Sequence, residues 1–308
     1  MSKSIKKAYR VCNWSDYNQS LKDRGKLSIW IPDNIYKIWY GDGRETYSDT
    51  AIEFCLTISI IYRKPLRQTE GMIEDIFGQI GLMLDVPDYS TLCRRRKTIS
   101  IDIPTKAKDT ISLILDSTGL KVYGEGEWKV RKHGWQYRRT WRKIHLGIDR
   151  DGEIRAVAVT HSNTHDCQAV DPIMNQVGSD TITDFYGDGA YDTTPTYLLL
   201  AAHDIDQIHI PPRTGAKIQR HGNTKGAPWP RDTHLRQIRH TSRQRWKQDS
   251  GYHIRSLGET GMYRFKVTFG DTLSTRTEPA HSTDVRLKCK ILNQFTHSGM
   301  PDGVMVPT

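Results

Sequence analysis

The chain has 308 residues and a mass of 35.4 kDa, and this length predicts roughly two domains. Hydrophobic residues make up 36% of it and charged residues 26%, which excludes wholesale disorder and allows a sizeable core. Mean hydropathy is −0.62, and no apolar run approaches the roughly 18 residues that a membrane span needs, so we expect no membrane segment.

Neither the start of the chain nor its cysteines indicate secretion. Residues 1–10 are rich in Lys and Ser and lack the apolar region of a secretory signal. The five cysteines are scattered, and the absence of a C-x-x-C pair argues against a zinc ribbon and against a disulfide framework. We therefore expect a cytoplasmic protein.

The charge is unevenly distributed. The net charge of +10 favours a polyanionic partner. Residues 121–143 carry 8 Lys and Arg against 2 Asp and Glu, residues 211–247 carry 10 against 1, and residues 144–210 between them carry 2 against 11. A single charged run is as well explained by a solvated face. Two basic runs around an acidic centre favour carboxylates that hold metal and basic arms that hold a phosphate backbone.

The N-terminal part, over residues 46–99, has the pattern of helices. A mostly apolar helix opens at Thr50 and ends before Pro65, and a second one with helical apolar spacing covers Leu66 to Leu84. After a turn, residues 89–97 predict a short basic helix. Helix, turn and basic helix favour a helix-turn-helix DNA reader, whereas a plain helical bundle with a solvated helix end is the alternative. The predicted DNA contacts are Arg94, Arg95 and Arg96.

From residue 111 onward the pattern changes to strands that alternate with helices. The predicted strands are residues 111–116, 143–149, 154–159, 182–188 and 207–210, the second and third forming a hairpin. This order predicts an α/β domain with a mixed sheet and flanking helices, compatible with an RNase H-like arrangement. We therefore predict an all-α helix-turn-helix-like domain over residues 1–105 and an α/β catalytic domain over residues 106–308, with a basic insertion at about 211–247.

Three acids stand at positions where sites form. Asp116 and Asp188 lie at the ends of apolar strands, the edge at which α/β sheets gather their sites, although a lone acid there is commonplace. Glu259 lies further along, on a predicted helix. At 100° per residue, it shares one 60° stripe with Tyr252, Arg255 and Lys266.

The opposite side of that helix is apolar and carries two glycines, Gly258 and Gly261, which permit close approach to the sheet. We expect the polar stripe to point at the two aspartates. The alternative is an ordinary amphipathic helix with a solvated Arg255–Glu259 pair.

These residues resemble a known family. Tyr252-x-x-Arg255-x-x-x-Glu259, followed by Lys266, is similar to the Y-R-E-K signature of bacterial insertion-sequence DDE transposases. The segment 116–119 (DSTG) resembles that family's first aspartate motif, and the segment 187–192 (GDGAYD) its second. The resemblance covers most of the chain, and it is to the insertion sequence five family, within it the insertion sequence nine-hundred-and-three branch. It implies a bacterial, nucleoid-associated protein.

The resemblance implies a metal-dependent active site. Asp116, Asp188 and Glu259 would be the catalytic and metal-binding residues, with Asp116 bridging two Mg²⁺ ions and the other two acids binding one each; Mn²⁺ would substitute. Such a pair of ions activates the attacking water or 3′-hydroxyl and stabilises the leaving oxygen. Arg255 and Lys266 would grip phosphates near the scissile bond, and Tyr252 would stack on or orient the terminal nucleotide.

The basic segment, which we define as residues 211–247, interleaves cations with aromatic residues. That composition suits distorted or single-stranded DNA ends. We predict that Trp229 stacks on an unpaired base, with core packing as the alternative.

The leading hypothesis is a transposase that binds the terminal inverted repeats of its element, hydrolyses phosphodiester bonds there and joins the 3′ ends to target DNA. Its expected partner is double-stranded DNA, on which it would act as a homo-oligomer, without a membrane or a small-molecule cofactor. Two alternatives stay open: a catalytically inactive sequence-specific DNA-binding protein, and a metal-dependent nuclease without strand transfer.

Overall fold

The computed structural model describes residues 7–42, 46–122, 141–177, 181–205, 207–221 and 229–307. Its packing divides the chain into two compact units, residues 1–95 with 291–308 and residues 96–290. The two functional domains, with their boundary at residue 105, stay a prediction. Within the described ranges, no helix combines the length and the apolar character that crossing a membrane requires.

The first unit contains the predicted N-terminal helices. Its helices are α1 (Trp14–Asp23), α2 (Ile35–Ile38), α3 (Asp49–Ile61), α4 (Leu66–Gln79) and α5 (Tyr89–Arg95). Helix α4 ends five residues before the predicted Leu84, because the chain turns at Gly81 with φ of +70°. The all-α prediction is wrong for this unit, since β1 (Lys7–Val11) pairs antiparallel with β8 (Gly303–Pro307). The two strands are far apart in the sequence, so no local pattern indicates their pairing.

Helix α3 organises the core of this unit. Ser48 caps it by accepting the backbone N–H of Ala51 at 3.1 Å, which satisfies one of the free donors at the helix start. Trp39 packs edge-on against Phe54 of α3 and Phe77 of α4, with ring centroids 5.7 Å and 5.3 Å away. The aromatic cluster therefore joins the two predicted helices.

The connection between α4 and α5 differs from a short turn. It spans residues 80–88, nine residues, where a helix-turn-helix has three or four. It is held in place because Trp39 donates from Nε1 to the carbonyl of Asp85 at 2.7 Å, and the Tyr47 hydroxyl contacts the carbonyl of Val86 at 3.3 Å. The helix-turn-helix assignment stays a prediction.

The second unit is built on a mixed sheet. Its strands are β2 (Thr110–Val122), β3 (Trp141–Ile148), β4 (Ile154–His161), β5 (Thr181–Tyr186), β6 (Gln207–His209) and β7 (Thr272–Leu273). Its helices are α6 (Val170–Met174), α7 (Thr194–Ala202), α8 (Pro230–His240), α9 (Arg243–Asp249) and α10 (Ser256–Phe269). Helix α11 (Glu278–Ser298) runs through the boundary between the two units.

The sheet order is β4-β3-β2-β5-β6, with β7 pairing the far end of β2. Strands β2, β3 and β4 are antiparallel, whereas β2, β5 and β6 are parallel, so the predicted hairpin and mixed sheet are confirmed. Strand β2 continues six residues past its predicted end at Asp116, because β3 pairs with it as far as Lys121.

Both faces of β2 are covered by helices. Ile111, Leu113 and Leu115 lie in one core cluster with Ile173 of α6 and Leu200 of α7. The alternate residues of β2, which include Ile114 and Asp116, point to the opposite face, where α10 packs. Asp116 therefore lies under α10.

Candidate active site

Strand register places the two aspartates side by side. The ladder between the parallel strands β2 and β5 ends at the pair Ile114 and Tyr186, and Asp116 and Asp188 each lie two residues beyond it. Side chains alternate along a strand, and neighbouring strands lie about 4.8 Å apart, so the two carboxylates reach the same edge and the same face of the sheet.

Helix α10 approaches this edge closely because it carries glycine where it crosses β2 and β3. A Cβ on Gly258 would lie 3.0 Å from the Cβ of Asp116, and a Cβ on Gly261 would overlap Ile148. The predicted close approach of this helix to the sheet is thus confirmed. Glu259 follows Gly258 directly and is brought to the edge where Asp116 lies.

The predicted single stripe on one helix is wrong in its first part. Residues 252–255 form a 3₁₀ turn after Gly251, which has φ of +65°, and α10 begins only at Ser256. Tyr252 is consequently buried, with its ring 5.5 Å from that of Trp246. Lys266 is half-buried in the last turn of α10. The DNA contacts of these two residues stay predictions.

Arg255 lies between two of the three acids. One guanidinium nitrogen is 2.5 Å from Glu259 Oε1, and the other is 3.6 Å from Asp116 Oδ1. Burial lowers the pKa of Arg255, but the bond to Glu259 and the charge of Asp116 outweigh it and raise that pKa. A permanent cation therefore bridges the carboxylates of β2 and α10.

The three acids share one electrostatic environment. The pKa of Asp116 is raised, chiefly by burial and further by the charges of Asp188 and Glu259, against the opposing effects of the Ser117 backbone N–H and Arg255. A carboxylate that is buried near two others gains free energy when a cation approaches. The arrangement thus favours the binding of positive charge.

The residue types fit a divalent ion. Three carboxylates supply the hard oxygen donors that Mg²⁺ prefers. Across the described part of the chain, however, no group of three or more His, Cys, Asp or Glu is arranged to hold a metal ion. Asp116 and Glu259 are instead joined by the guanidinium of Arg255.

The loop after β5 fixes the second aspartate. Asp188 caps the 3₁₀ turn Gly189–Tyr191 by accepting the backbone N–H of Ala190 on Oδ1 at 2.7 Å. A Cβ on Gly187 would lie 2.9 Å from the ring of Tyr191, so this position needs glycine. Sequence reasoning did not predict that Asp192 and Arg213 hold this loop in place. The signal that could have indicated a role for Asp192 is its position as the acid at the end of the GDGAYD segment.

The three predicted DNA-contacting arginines differ in exposure. Arg94 is exposed and bonds to Thr91 of its own helix at 2.9 Å. Arg95 is largely buried, donating to the carbonyl of Tyr47 at 3.0 Å and pairing with Asp49 at 2.5 Å. Arg96 lies in the second unit, 3.9 Å from the buried Asp284. Arg94 is the most exposed of the three, and DNA contact by all three stays a prediction.

Trp229 is half-buried at the start of α8. Its ring meets Tyr197 edge-on at 6.3 Å, and the guanidinium of Arg220 lies 4.9 Å from its centroid. This arrangement matches the alternative of core packing, and the stacking on a DNA base stays a prediction. Residues 222–228 of the basic segment and residues 123–140 of the other basic run lie outside the described residues.

Comparison with protein families gives two matches. A model described as "Transposase DDE domain" matches residues 108–294, about three fifths of the chain, and a second model with the same description matches residues 22–125. Such a domain implies an RNase H-like fold, in agreement with the mixed sheet. No solved structure matches the chain.

Proposed function

Since the chain belongs to the Transposase DDE domain family, we propose that it cuts phosphodiester bonds at the ends of a mobile DNA element and joins the 3′ ends to target DNA. The observation that carries the proposal is the register of β2 and β5, which sets Asp116 beside Asp188 at the edge that α10 approaches with Glu259. The finer placement in the insertion sequence five family and its nine-hundred-and-three branch is part of the proposal.

In this proposal, Asp116, Asp188 and Glu259 hold two Mg²⁺ ions, or Mn²⁺ in their place. When bound, the ions lower the pKa of the attacking water and stabilise the leaving oxygen. The support from the chain itself is the pKa of Asp116, which is raised chiefly by burial and further by the charges of Asp188 and Glu259.

Arg255 has a second role in the proposed reaction. Its side chain is 20% exposed, so a DNA phosphate can reach it beside the carboxylates. A guanidinium forms two parallel bonds with a phosphate as readily as with a carboxylate. We expect Arg255 to bind the phosphate next to the scissile bond and Lys266, in the last turn of α10, to bind a neighbouring one.

The proposed partners are the terminal repeats and a target duplex, bound by a homo-oligomer of a nucleoid-associated protein. Arg94 and the first unit would read the repeats. The net charge of +10 supports this partner class, because Lys and Arg that neutralise phosphates release counterions. Binding should therefore weaken steeply as salt is raised.

One assay tests the function. The protein is incubated with Mg²⁺ and a duplex carrying the inverted repeats that flank its own coding sequence, with and without a target plasmid. Joined product is the expected result. Cleavage without joining would instead identify a nuclease, and binding without cleavage a catalytically inactive DNA-binding protein.

A further inference from the structure

A fully buried carboxylate connects the basic segment to the loop of Asp188. The side chain of Asp192 is 0% exposed. Its Oδ2 accepts the backbone N–H of Arg213 at 2.8 Å, and its Oδ1 accepts the Tyr197 hydroxyl at 3.2 Å and lies 3.1 Å from Arg231 Nε. A buried charge is tolerated only when it is paired in this way. Asp192 therefore fixes where the basic segment begins relative to the loop.

Arg213 then reaches back over the loop. Its Nε donates to the carbonyl of Gly189 and its terminal nitrogen to the carbonyl of Ala190, each at 2.9 Å. The N–H of Ala190 is the group that bonds to Asp188 Oδ1 at 2.7 Å. The two successive carbonyls and this N–H belong to the same short turn. The guanidinium of Arg213 therefore stabilises the turn, and the turn orients the Asp188 carboxylate through the Ala190 N–H.

This arrangement contrasts with a phosphate contact. If Arg213 turned its Nε and this terminal nitrogen towards a DNA phosphate, it would release both carbonyls, and the turn under Asp188 would lose its support. Elsewhere in the segment, Arg243 donates to the carbonyl of Pro212 at 2.7 Å and Arg236 to that of Arg220 at 2.5 Å. Part of the basic segment thus stabilises the protein's own backbone.

We infer that Arg213 is a positioning residue for Asp188, and that the start of the basic segment serves to orient this carboxylate rather than to bind DNA phosphates. The inference rests on the proposed function, in which Asp188 is a metal ligand. The planar fork of arginine bonds to two carbonyls at once, and the single ammonium of lysine does not reproduce that geometry.

The test compares Arg213→Met, Arg213→Lys and Arg239→Met in the full-length protein. Arg239 is the matched control, since it is an exposed arginine at the end of α8 in the same segment. The measurements are Mn²⁺ affinity without DNA by titration calorimetry, affinity for the flanking-repeat duplex over a range of salt, cleavage kcat and KM, and urea unfolding.

For Arg213→Met we expect a loss of about 10–100-fold in Mn²⁺ affinity and in kcat, the usual effect of removing a group that orients a metal ligand. KM, DNA affinity and its salt dependence should stay unchanged. The Mn²⁺ affinity and kcat of Arg213→Lys should lie between those of the wild type and those of Arg213→Met. Arg239→Met should leave Mn²⁺ affinity unchanged. If Arg213→Met unfolds, the lysine variant decides the matter by the same readouts.

The inference is overturned if Arg213→Met keeps its Mn²⁺ affinity but loses DNA affinity, with a salt slope smaller by about 1, because that is the signature of a lost phosphate contact. It is equally overturned if the variant matches the wild type. Failure of the proposed function has a different signature, since the wild type itself would then neither cleave nor bind Mn²⁺.

Discussion

Two carboxylate clusters in the second unit have opposite environments. Asp149 lies directly after β3, is 1% exposed and accepts five hydrogen bonds. Its Oδ2 accepts two from the guanidinium of Arg155 and one from Lys108. Its Oδ1 accepts the backbone N–H groups of Asp151 and Glu153. Among the described residues, Asp116, within β2, accepts a hydrogen bond only from the Ser117 N–H, at 3.0 Å, and Arg255 lies further off at 3.6 Å.

Their pKa values move in opposite directions. Burial raises the pKa of Asp149, but its bonds to Lys108 and Arg155 outweigh this and lower it. Burial raises the pKa of Asp116, and its few donors do not compensate. A carboxylate with its oxygens saturated by the protein stabilises the fold, whereas one with few internal donors is available to a ligand. The predictions below test that distinction, from the largest expected effect to the smallest.

Asp116→Asn should reduce cleavage at the element ends by at least about 10³-fold while DNA binding persists, because it removes a proposed metal ligand. Gel-based cleavage and a binding titration measure the two effects. Asp151→Asn is the control, since its side chain is 74% exposed and it pairs only with Lys108 among the described contacts. Normal cleavage by Asp116→Asn would contradict the site assignment.

Asp149→Asn should cost about 1.5–3 kcal/mol in the free energy of unfolding, because Arg155 and Lys108 would lose a charged hydrogen-bond partner, although Arg155 keeps Glu153 at 2.9 Å. Urea denaturation followed by circular dichroism measures this loss. The same exposed control, Asp151→Asn, should cost no more than about 1 kcal/mol. Equal effects of the two variants would remove the distinction between the clusters.

Arg255→Ala should bind Mn²⁺ more tightly, by a few-fold to about tenfold, because a competing cation leaves Asp116 and Glu259. Its affinity for DNA should fall, with a salt slope smaller by about 1. Calorimetry and salt titrations give both values. Arg264→Ala is the control, because Arg264 is an arginine of α10 that donates to the carbonyl of Gly152 and, among the described contacts, not to the acids of the site. Weaker Mn²⁺ binding by Arg255→Ala would show that this cation does not compete.

The pH dependence of stability should have opposite signs for the two acids. The folded pKa of Asp149 is lowered, so its contribution is present above the unfolded value of 3.8 and is lost as pH falls through the folded pKa. The folded pKa of Asp116 is raised, so its charge destabilises the fold above that pKa, and the penalty disappears as pH falls.

Urea unfolding between about pH 3 and pH 6 tests this, comparing the wild type with each asparagine variant. On acidification, the wild type should lose its advantage over Asp149→Asn and improve relative to Asp116→Asn. If the free energy of unfolding changed with pH in the same way for both variants, the opposite pKa shifts assigned to Asp149 and Asp116 would be contradicted.

The sequence predicted the central elements of both units and their order, but not helices α1, α2, α8, α9 and α11 or strands β1, β7 and β8. Apolar periodicity predicted α3 and α4, the strands of the mixed sheet and the hairpin of β3 and β4, because local burial patterns repeat at 3.6 or 2 residues. It also placed glycines at the two points where α10 meets the sheet. It did not predict the pairing of β1 with β8 or the 3₁₀ turn at 252–255, which depend on contacts distant in the chain and on one positive φ at Gly251.

Only the tertiary structure gave the physical difference between Asp116 and Asp149. Both acids lie at the predicted end of an apolar strand, so strand position does not distinguish them, and the sequence selected Asp116 only through the resemblance of the segment 116–119 to a family motif. What differs is the number of donors that reach each carboxylate. These donors come from distant residues: Lys108 lies 41 positions from Asp149, and Arg255 lies 139 positions from Asp116. Because hydrogen bonding and burial act through space, the roles of a saturated and an unsaturated carboxylate are set when the chain folds.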